Sequence, residues 1–191
     1  MVANPGRRAD VTRAALEILG RHGSRALTHR AVDSLAQMPP GTCSNYFPSR
    51  AALLLAMARG AFEQLAPDPA RLTELERAPA GEALEGYAAY VVERLILRPD
   101  LARALVELRL EASRSPDVAA VLTPFLRQGL RADVAFHESR GLPGGAELVL
   151  LLHHLVNGIL LDHLTVPLDP GSNPVAVARR AARRLAQDVG P

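Results

Sequence analysis

The segment 42–46, Thr-Cys-Ser-Asn-Tyr, brings small and polar side chains together in one short run. The sequence Pro39-Pro40-Gly41 interrupts the helical pattern before it, which predicts a separate helix of little more than one turn. A helix this short can enter the DNA major groove end-on, where hydroxyl and amide groups hydrogen-bond base edges. We expect Tyr46 to offer its hydroxyl to a phosphate and Phe47 to anchor the helix internally. The predicted DNA-binding residues of this segment are Gly41, Thr42, Cys43, Ser44, Asn45 and Tyr46.

Four other residues have the chemistry of phosphate ligands. Thr28, His29 and Arg30 stand at a predicted helix start, where free N–H groups and the helix dipole favour an anion. Arg50 follows a Ser cap, and its guanidinium matches a phosphate in a bidentate manner. The alternative is that Thr28 is only a helix cap and Arg30 only a solvated charge.

Two residues near the N-terminus are open to either interpretation. Arg7 and Arg8 precede the first predicted helix on what we expect to be a flexible arm. They either reach a minor groove or a phosphate, or make no ordered contact.

Cys43 is the single cysteine of the chain, so an internal disulfide or a cysteine metal cluster is excluded. A reducing, cytoplasmic compartment fits this usage. A redox switch would need a resolving thiol that the chain does not contain. We therefore favour a small apolar contact from Cys43 to a base or a thymine methyl group.

His153, His154, Asp162 and His163 resemble a metal-ligand set in composition, but not in helical phase. Successive helical residues turn by about 100°, so Asp162 faces away from His153. We predict no metal and no cofactor, and assign these groups to a polar pocket or an interface. An alternative from another class is a helical-bundle enzyme that uses His153, His154 and Asp162, although no nucleophile–base pair accompanies them.

The elements that must position these groups are helices throughout. Apolar residues recur at helical spacing, and no alternating run is long enough for a strand. One predicted helix is capped by Thr28 and has Val32, Leu35 and Ala36 on its inward face. The other predicted helices are 10–22, 42–47, 50–65, 82–97, 100–113, 116–140, 146–165 and 174–188. Residues 66–81 are expected to form a linker with at most one short helix. The stretch 146–161 is interrupted by polar residues and predicts no membrane span.

Charge is distributed unevenly along the chain. Residues 1–50 carry seven arginines against three carboxylates, whereas residues 51–170 carry eleven against sixteen. A basic head on an acidic body indicates that the head meets a polyanion. The late run Arg179, Arg180, Arg183 and Arg184 is interpreted as solvated charge beside a subunit contact.

Three stretches together resemble the TetR family of transcriptional regulators: 14–23 (AALEILGRHG), 27–32 (LTHRAV) and 40–53 (PGTCSNYFPSRAAL). The resemblance covers about residues 9–60 with order and spacing intact. It implies an all-α dimer with a three-helix helix-turn-helix head on a larger helical bundle that binds a small molecule. One departure lies in the turn, where Ala36-Gln37-Met38 replaces the family's usual Ala-Gly-Val; Gln tolerates positive φ poorly, which predicts a strained or altered turn.

The resemblance implies a DNA-binding domain over 1–50, a connecting helix over 50–65, and an effector-binding and dimerisation domain over 66–191. The expected partners are a palindromic double-stranded operator, a largely apolar effector and a second copy held through the two C-terminal helices, with repression as the expected outcome. A scaffold that has lost DNA binding is a further alternative. The predicted pocket residues are Tyr87, Tyr90, Glu107, Phe125, His153 and Asn157.

Overall fold

The computed structural model describes residues 5–188, without the side chains of residues 80 and 81. Ten α-helices and no strand occur in this part of the chain, which confirms the all-α prediction. The helices are α1 (Pro5–His22), α2 (His29–Leu35), α3 (Thr42–Tyr46), α4 (Arg50–Gln64), α5 (Pro69–Glu76), α6 (Ala80–Ile96), α7 (Pro99–Arg114), α8 (Pro116–Ser139), α9 (Gly145–Leu164) and α10 (Pro174–Asp188).

Two boundaries differ from the sequence prediction in an informative way. Helix α1 begins at Pro5 rather than at residue 10, because proline is compatible with the first helical turn. Arg7 and Arg8 therefore belong to a helix, and the expected flexible arm is wrong for these two residues. Helix α5 forms within the predicted linker, where the Asp68 carboxylate accepts a hydrogen bond from the backbone N–H of Ala70 at 2.9 Å.

The contacts divide the chain into two compact units. The first unit comprises the residues up to Ala66 together with Arg98–Phe125, and so contains α1–α4, α7 and the start of α8. The second unit comprises Pro67–Leu97 and the residues from Leu126 onward. Helix α7 therefore packs with the N-terminal helices.

Helix α1 is the centre of the first unit and packs against α2, α3, α4 and α7. The contact with α7 is close at Gly20, where an added Cβ would lie 2.1 Å from the backbone oxygen of Asp100. Burial of each large aliphatic side chain contributes roughly 2 kcal/mol to folding. The most completely buried large side chains of this unit are Val11, Leu16, Leu19, Val32, Phe47, Leu54, Met57, Leu108 and Leu122.

Leu35 corrects one core prediction. Its side chain is 45% exposed, although the helical pattern placed it inward with Val32. Helix α2 has only seven residues, and Val32 and Asp33 are its buried positions. Asp33 is therefore buried in this helix, while Leu35 is exposed.

The second unit contains α5, α6, the larger part of α8, α9 and α10, and α6 packs against α5, α9 and α10. Its core includes Leu84, Tyr87 and Leu148, and Tyr87 meets Phe136 edge-on at 5.3 Å between ring centroids. Arg183 of α10 donates two hydrogen bonds, of 2.6 and 2.8 Å, to the nearly buried Glu85 carboxylate of α6. This bidentate pair lowers the pKa of Glu85, chiefly through the hydrogen bonds from Arg183.

Helix α9 exposes apolar side chains over part of its surface. Leu150, Leu151 and Leu161 are 43%, 40% and 52% exposed. Among the described helices, α9 is the one that is long and apolar enough to cross a membrane, by length and composition alone. Its buried residues Leu148, Val149, Leu160 and Leu164 face the rest of the second unit, as in a helix with one face packed and one face unpartnered.

Candidate nucleic-acid interface

The helices around the predicted site are held by local caps. The Thr28 hydroxyl accepts a hydrogen bond from the backbone N–H of Ala31 at 3.2 Å and so begins α2. The Ser49 hydroxyl accepts one from Ala52 at 3.1 Å and begins α4. Both caps were predicted from residue type and spacing, and both are confirmed.

The turn between α2 and α3 is a Schellman motif. The backbone N–H of Met38 donates to the carbonyl of Asp33 at 2.9 Å, and that of Gln37 donates to Ser34 at 3.1 Å. Gln37 has φ of 55°, which is the left-handed conformation that usually takes glycine. The strain predicted at this position is therefore present, and the turn keeps the shape of the motif.

Helix α3 has one buried face and one exposed face. Cys43 and Phe47 are fully buried, which confirms Phe47 as the internal anchor. Ser44 and Asn45 are exposed, and Asn45 makes no side-chain hydrogen bond within the part of the chain that the structure describes. The Thr42 hydroxyl donates to the Pro39 carbonyl at 2.6 Å, and Gly41, Thr42 and Tyr46 are half-buried.

Cys43 requires a correction. It was predicted to touch a base, yet its side chain has no exposed surface because it points into the first unit. Burial, with a smaller contribution from the charge of Asp33, raises the pKa of the Cys43 thiol to about 11. The residue is a small apolar core side chain and an unreactive thiol at neutral pH.

Three of the predicted phosphate ligands line one groove. Thr28, His29 and Arg50 surround a volume of about 230 Å³, together with the side chains of Leu27 and Leu53. Arg30 is exposed on the same helix as His29 but does not line the groove. The Arg50 Nε–H donates a hydrogen bond to the Glu111 carboxylate of α7 at 2.7 Å. An anion in the groove would therefore share the Arg50 guanidinium with Glu111 or displace Glu111 from it.

A further cation stands beside α3. The guanidinium of Arg8 lies 4.9 Å from the centroid of the Phe47 ring, over its face. This contact orders an exposed arginine of α1 next to the end of α3.

The predicted pocket residues fall into two groups. Tyr87, Tyr90, His153 and Asn157 lie in the second unit, whereas Glu107 and Phe125 lie in the first. The Tyr90 hydroxyl accepts a hydrogen bond from the backbone N–H of Asp68 at 2.8 Å, and Phe125 packs edge-on against Phe62 at 5.2 Å. His153 pairs with Asp133 at 3.0 Å, and the Asn157 amide donates to the His153 carbonyl at 2.7 Å.

The histidines of α9 do not converge on a metal or a catalytic group. His154 and His163 are exposed, and the Asp162 carboxylate accepts a hydrogen bond from the backbone N–H of Leu168 at 3.0 Å. Among the described residues there is no cluster of three or more histidine, cysteine or carboxylate side chains that would hold a metal ion. The grouping on which a helical-bundle enzyme would depend is thus dispersed.

The comparison with protein families decides the class. Residues 78–188 match the family described as the tetracyclin repressor-like, C-terminal domain, which is more than half of the chain. The chain belongs to this family. The protein is thus a transcriptional regulator and not an enzyme.

Solved structures share the fold over nearly the whole TetR-like chain. The multidrug binding protein EbrR complexed with proflavin is 28% identical, with a TM-score of 0.60, and the match covers 94% of this chain and 99% of that one. EbrR complexed with imidazole gives 23% identity, a TM-score of 0.69 and coverage of 98% and 97%. A TetR-family member from Streptomyces coelicolor A3 is 23% identical, with a TM-score of 0.66, and the match covers 98% of this chain and 99% of that one. No curated protein sequence matches the chain.

Two polar groups in this TetR-like protein were missed by the sequence reasoning. Asp33 is 3% exposed and faces the start of α3. Arg94 of α6 lies with its guanidinium 5.0 Å from the Tyr90 ring centroid, and burial lowers its pKa. The i, i+4 spacing of Tyr90 and Arg94 on α6 was the available signal for that contact, whereas the Asp33 contacts span the turn and follow no local spacing rule.

Proposed function

We propose that the protein is a repressor that binds a palindromic operator as a homodimer and leaves it when an effector binds. The observation that carries the DNA-binding part is the surface of the first unit. There α3 exposes Ser44 and Asn45, and Thr28, His29 and Arg50 line a groove, in a chain segment with a net charge of +4 over residues 1–50.

In this scheme α3 is the recognition helix. Asn45 and Ser44 are its exposed polar side chains and read base edges, with Thr42 beside them and the backbone of Gly41 close to the DNA. The Tyr46 hydroxyl binds a phosphate. Buried Cys43 takes no part in these contacts.

The phosphate contacts fix the orientation of α3 on the duplex. Thr28, His29 and Arg50 contact the DNA backbone at their groove, and Arg30 adds an exposed charge. Arg50 exchanges its Glu111 partner for a phosphate, or shares it, when DNA is bound.

A second copy of the chain covers the exposed leucines of α9. Leu150, Leu151 and Leu161 lie on this face, and Gly158 has open space where a side chain would stand, which permits a close approach of helices. With α10 at its side, this surface joins two heads so that each reads one half-site in successive major grooves.

The effector binds within residues 66–191. Support comes from EbrR, whose solved complexes hold proflavin and imidazole, and Tyr87 and Tyr90 are aromatic candidates for contact with such a ligand. An effector that releases the operator must bind the DNA-incompetent arrangement more tightly, and DNA must weaken effector binding by the same factor. The protein acts in the cytoplasm, where it has access to chromosomal DNA.

The test is a selection of genomic DNA fragments with the purified protein at near-physiological salt, which suppresses non-specific phosphate binding. Recovery of a short palindrome, bound by two chains, supports the proposal, and titration of apolar compounds should then weaken the complex. If the selected fragments share no sequence, the operator function fails. If an operator is recovered but no compound from a broad panel weakens it, the effector part fails.

A further inference from the structure

Asp33 is a buried carboxylate within the helix-turn-helix. Only 3% of its surface is exposed, although it belongs to the short surface helix α2. A carboxylate is costly to bury unless hydrogen bonds replace its water shell. The partners of Asp33 therefore explain why the residue is placed there.

Both oxygens of this carboxylate are directed at the beginning of α3. Oδ1 accepts a hydrogen bond from the backbone N–H of Cys43 at 2.7 Å, and Oδ2 accepts one from the backbone N–H of Gly41 at 2.8 Å. The first N–H groups of a helix have no acceptor inside the helix itself. Asp33 thus supplies from α2 the cap that the start of α3 needs.

Helix α3 has no local cap of the usual kind. Its N-cap residue is Gly41, which has no side chain and adopts φ of 88°. By contrast, α2 and α4 are capped by their own Thr28 and Ser49. A helix of five residues is also too short to be stable alone, so its position depends on contacts from outside it.

The same residue also holds the turn. The carbonyl of Asp33 accepts the N–H of Met38, which closes the Schellman motif around Gln37. Asp33 therefore fixes both the path of the chain into α3 and the orientation of the first turn of α3. Asn45 lies on the opposite side of α3 from Cys43, so a shift at the cap moves the surface that meets DNA.

We infer that Asp33 is a positioning residue for operator recognition, whose carboxylate sets the register of α3 through the N–H groups of Gly41 and Cys43. The inference rests on the proposed function, because it presumes that α3 reads the operator. Asp33 itself is buried and touches no DNA. Its loss should therefore reduce discrimination between sequences and leave the general attraction to phosphate intact.

The experiment compares full-length Asp33→Asn and Asp33→Ala with Asp10→Asn. The first replaces one acceptor by an amide donor that faces an N–H group; the second removes both acceptors and keeps a good helix former. Asp10 lies in α1 and pairs with Arg13, so its change raises the charge by the same unit without touching α3. Affinities for the selected operator and for unrelated DNA are measured at one salt concentration, and NMR amide exchange is measured at Gly41 and Cys43, with Leu16 and Leu54 as references for the fold.

We expect both Asp33 variants to lose about tenfold to hundredfold in operator affinity relative to Asp10→Asn, with unrelated DNA bound equally well. Exchange at Gly41 and Cys43 should accelerate while Leu16 and Leu54 stay protected. A variant counts as folded when the amides of Leu16 and Leu54 stay protected. The inference is overturned if a folded Asp33 variant binds the operator as tightly as Asp10→Asn does, or if its amide exchange at Gly41 and Cys43 is unchanged. A parent protein that selects no operator refutes the proposed function, and the role of Asp33 with it, and this result appears before any variant is tested.

Discussion

Helices α3 and α9 present opposite kinds of surface. Helix α3 is five residues long and exposes Ser44 and Asn45, whereas α9 is twenty residues long and exposes leucines. Polar groups on a short, externally capped helix suit a partner that is read by hydrogen bonds. Exposed leucines on a long helix suit a partner that is held by buried area. The residue types on each surface thus indicate the class of partner.

The largest expected effect comes from a charge placed on the α9 surface. Leu151→Glu should prevent the second copy from docking, because a carboxylate would be buried there without a partner. We expect monomers in analytical ultracentrifugation and a loss of roughly 100-fold or more in operator affinity, since linked half-site binding is lost. Leu97→Glu changes another exposed leucine of the same unit and should leave both properties unchanged. A dimeric Leu151→Glu protein would show that the α9 surface has another partner.

The next effect tests the surface of α3. Asn45→Ala should weaken specific operator binding by roughly 10- to 100-fold while the dimer persists, because an amide that reads a base edge is lost. Gln128→Ala, an exposed polar position on α8, is the matched control and should bind normally. Fluorescence anisotropy with operator and with scrambled DNA makes the measurement. Equal operator affinity in the two variants would contradict the assignment of α3 as the reading helix.

A smaller effect is expected from the turn that orients α3. Gln37→Gly should stabilise the protein by about 1 kcal/mol, because glycine has no Cβ and adopts the left-handed conformation without a steric clash. Gln37→Ala keeps the Cβ and should change the free energy of unfolding little. Urea unfolding of both variants makes the comparison. A gain that is the same for alanine and glycine would assign the effect to the glutamine side chain rather than to backbone strain.

The smallest effect concerns the second unit and its response to acid. The pKa of Glu85 lies below its usual value of 4.5 in the folded protein, so the pair with Arg183 stabilises the fold above that pH. This contribution is lost as the pH falls through the lowered, folded-state pKa. Glu85→Gln should therefore flatten the acid side of a stability–pH profile measured by thermal melting. Glu147→Gln, an exposed carboxylate on α9, should keep the parent slope.

Much of the first unit could be predicted because its signals are local. Thr28 and Ser49 cap their helices within three residues, and apolar spacing places most helix boundaries within a few residues of those observed. The errors arise where a contact spans the turn. Cys43 is buried and Leu35 exposed because the rotation of α2 and α3 is set by packing on α1, and the Asp33 cap joins residues eight to ten positions apart.

The effector region was less predictable for a related reason. Tyr87 and Tyr90 lie on one helix, but the partners of the predicted pocket residues come from elsewhere in the chain, such as Asp68 for Tyr90 and Asp133 for His153. Helical periodicity tells which side of a helix is covered, but not by which neighbour. The predicted pocket therefore remains a set of candidate residues, while the class of the protein rests on its family.

The burial of Cys43 makes the chain convenient for spectroscopy. Its only thiol is inaccessible and has a pKa of about 11, so thiol-directed labels will react slowly with it at neutral pH. A cysteine introduced at an exposed position of the N-terminal head, such as Arg25, would then carry the sole label of each chain. In a dimer, one pair of spin labels or dyes would report the separation of the two heads directly, with the operator or an effector added, and no background cysteine would need to be removed.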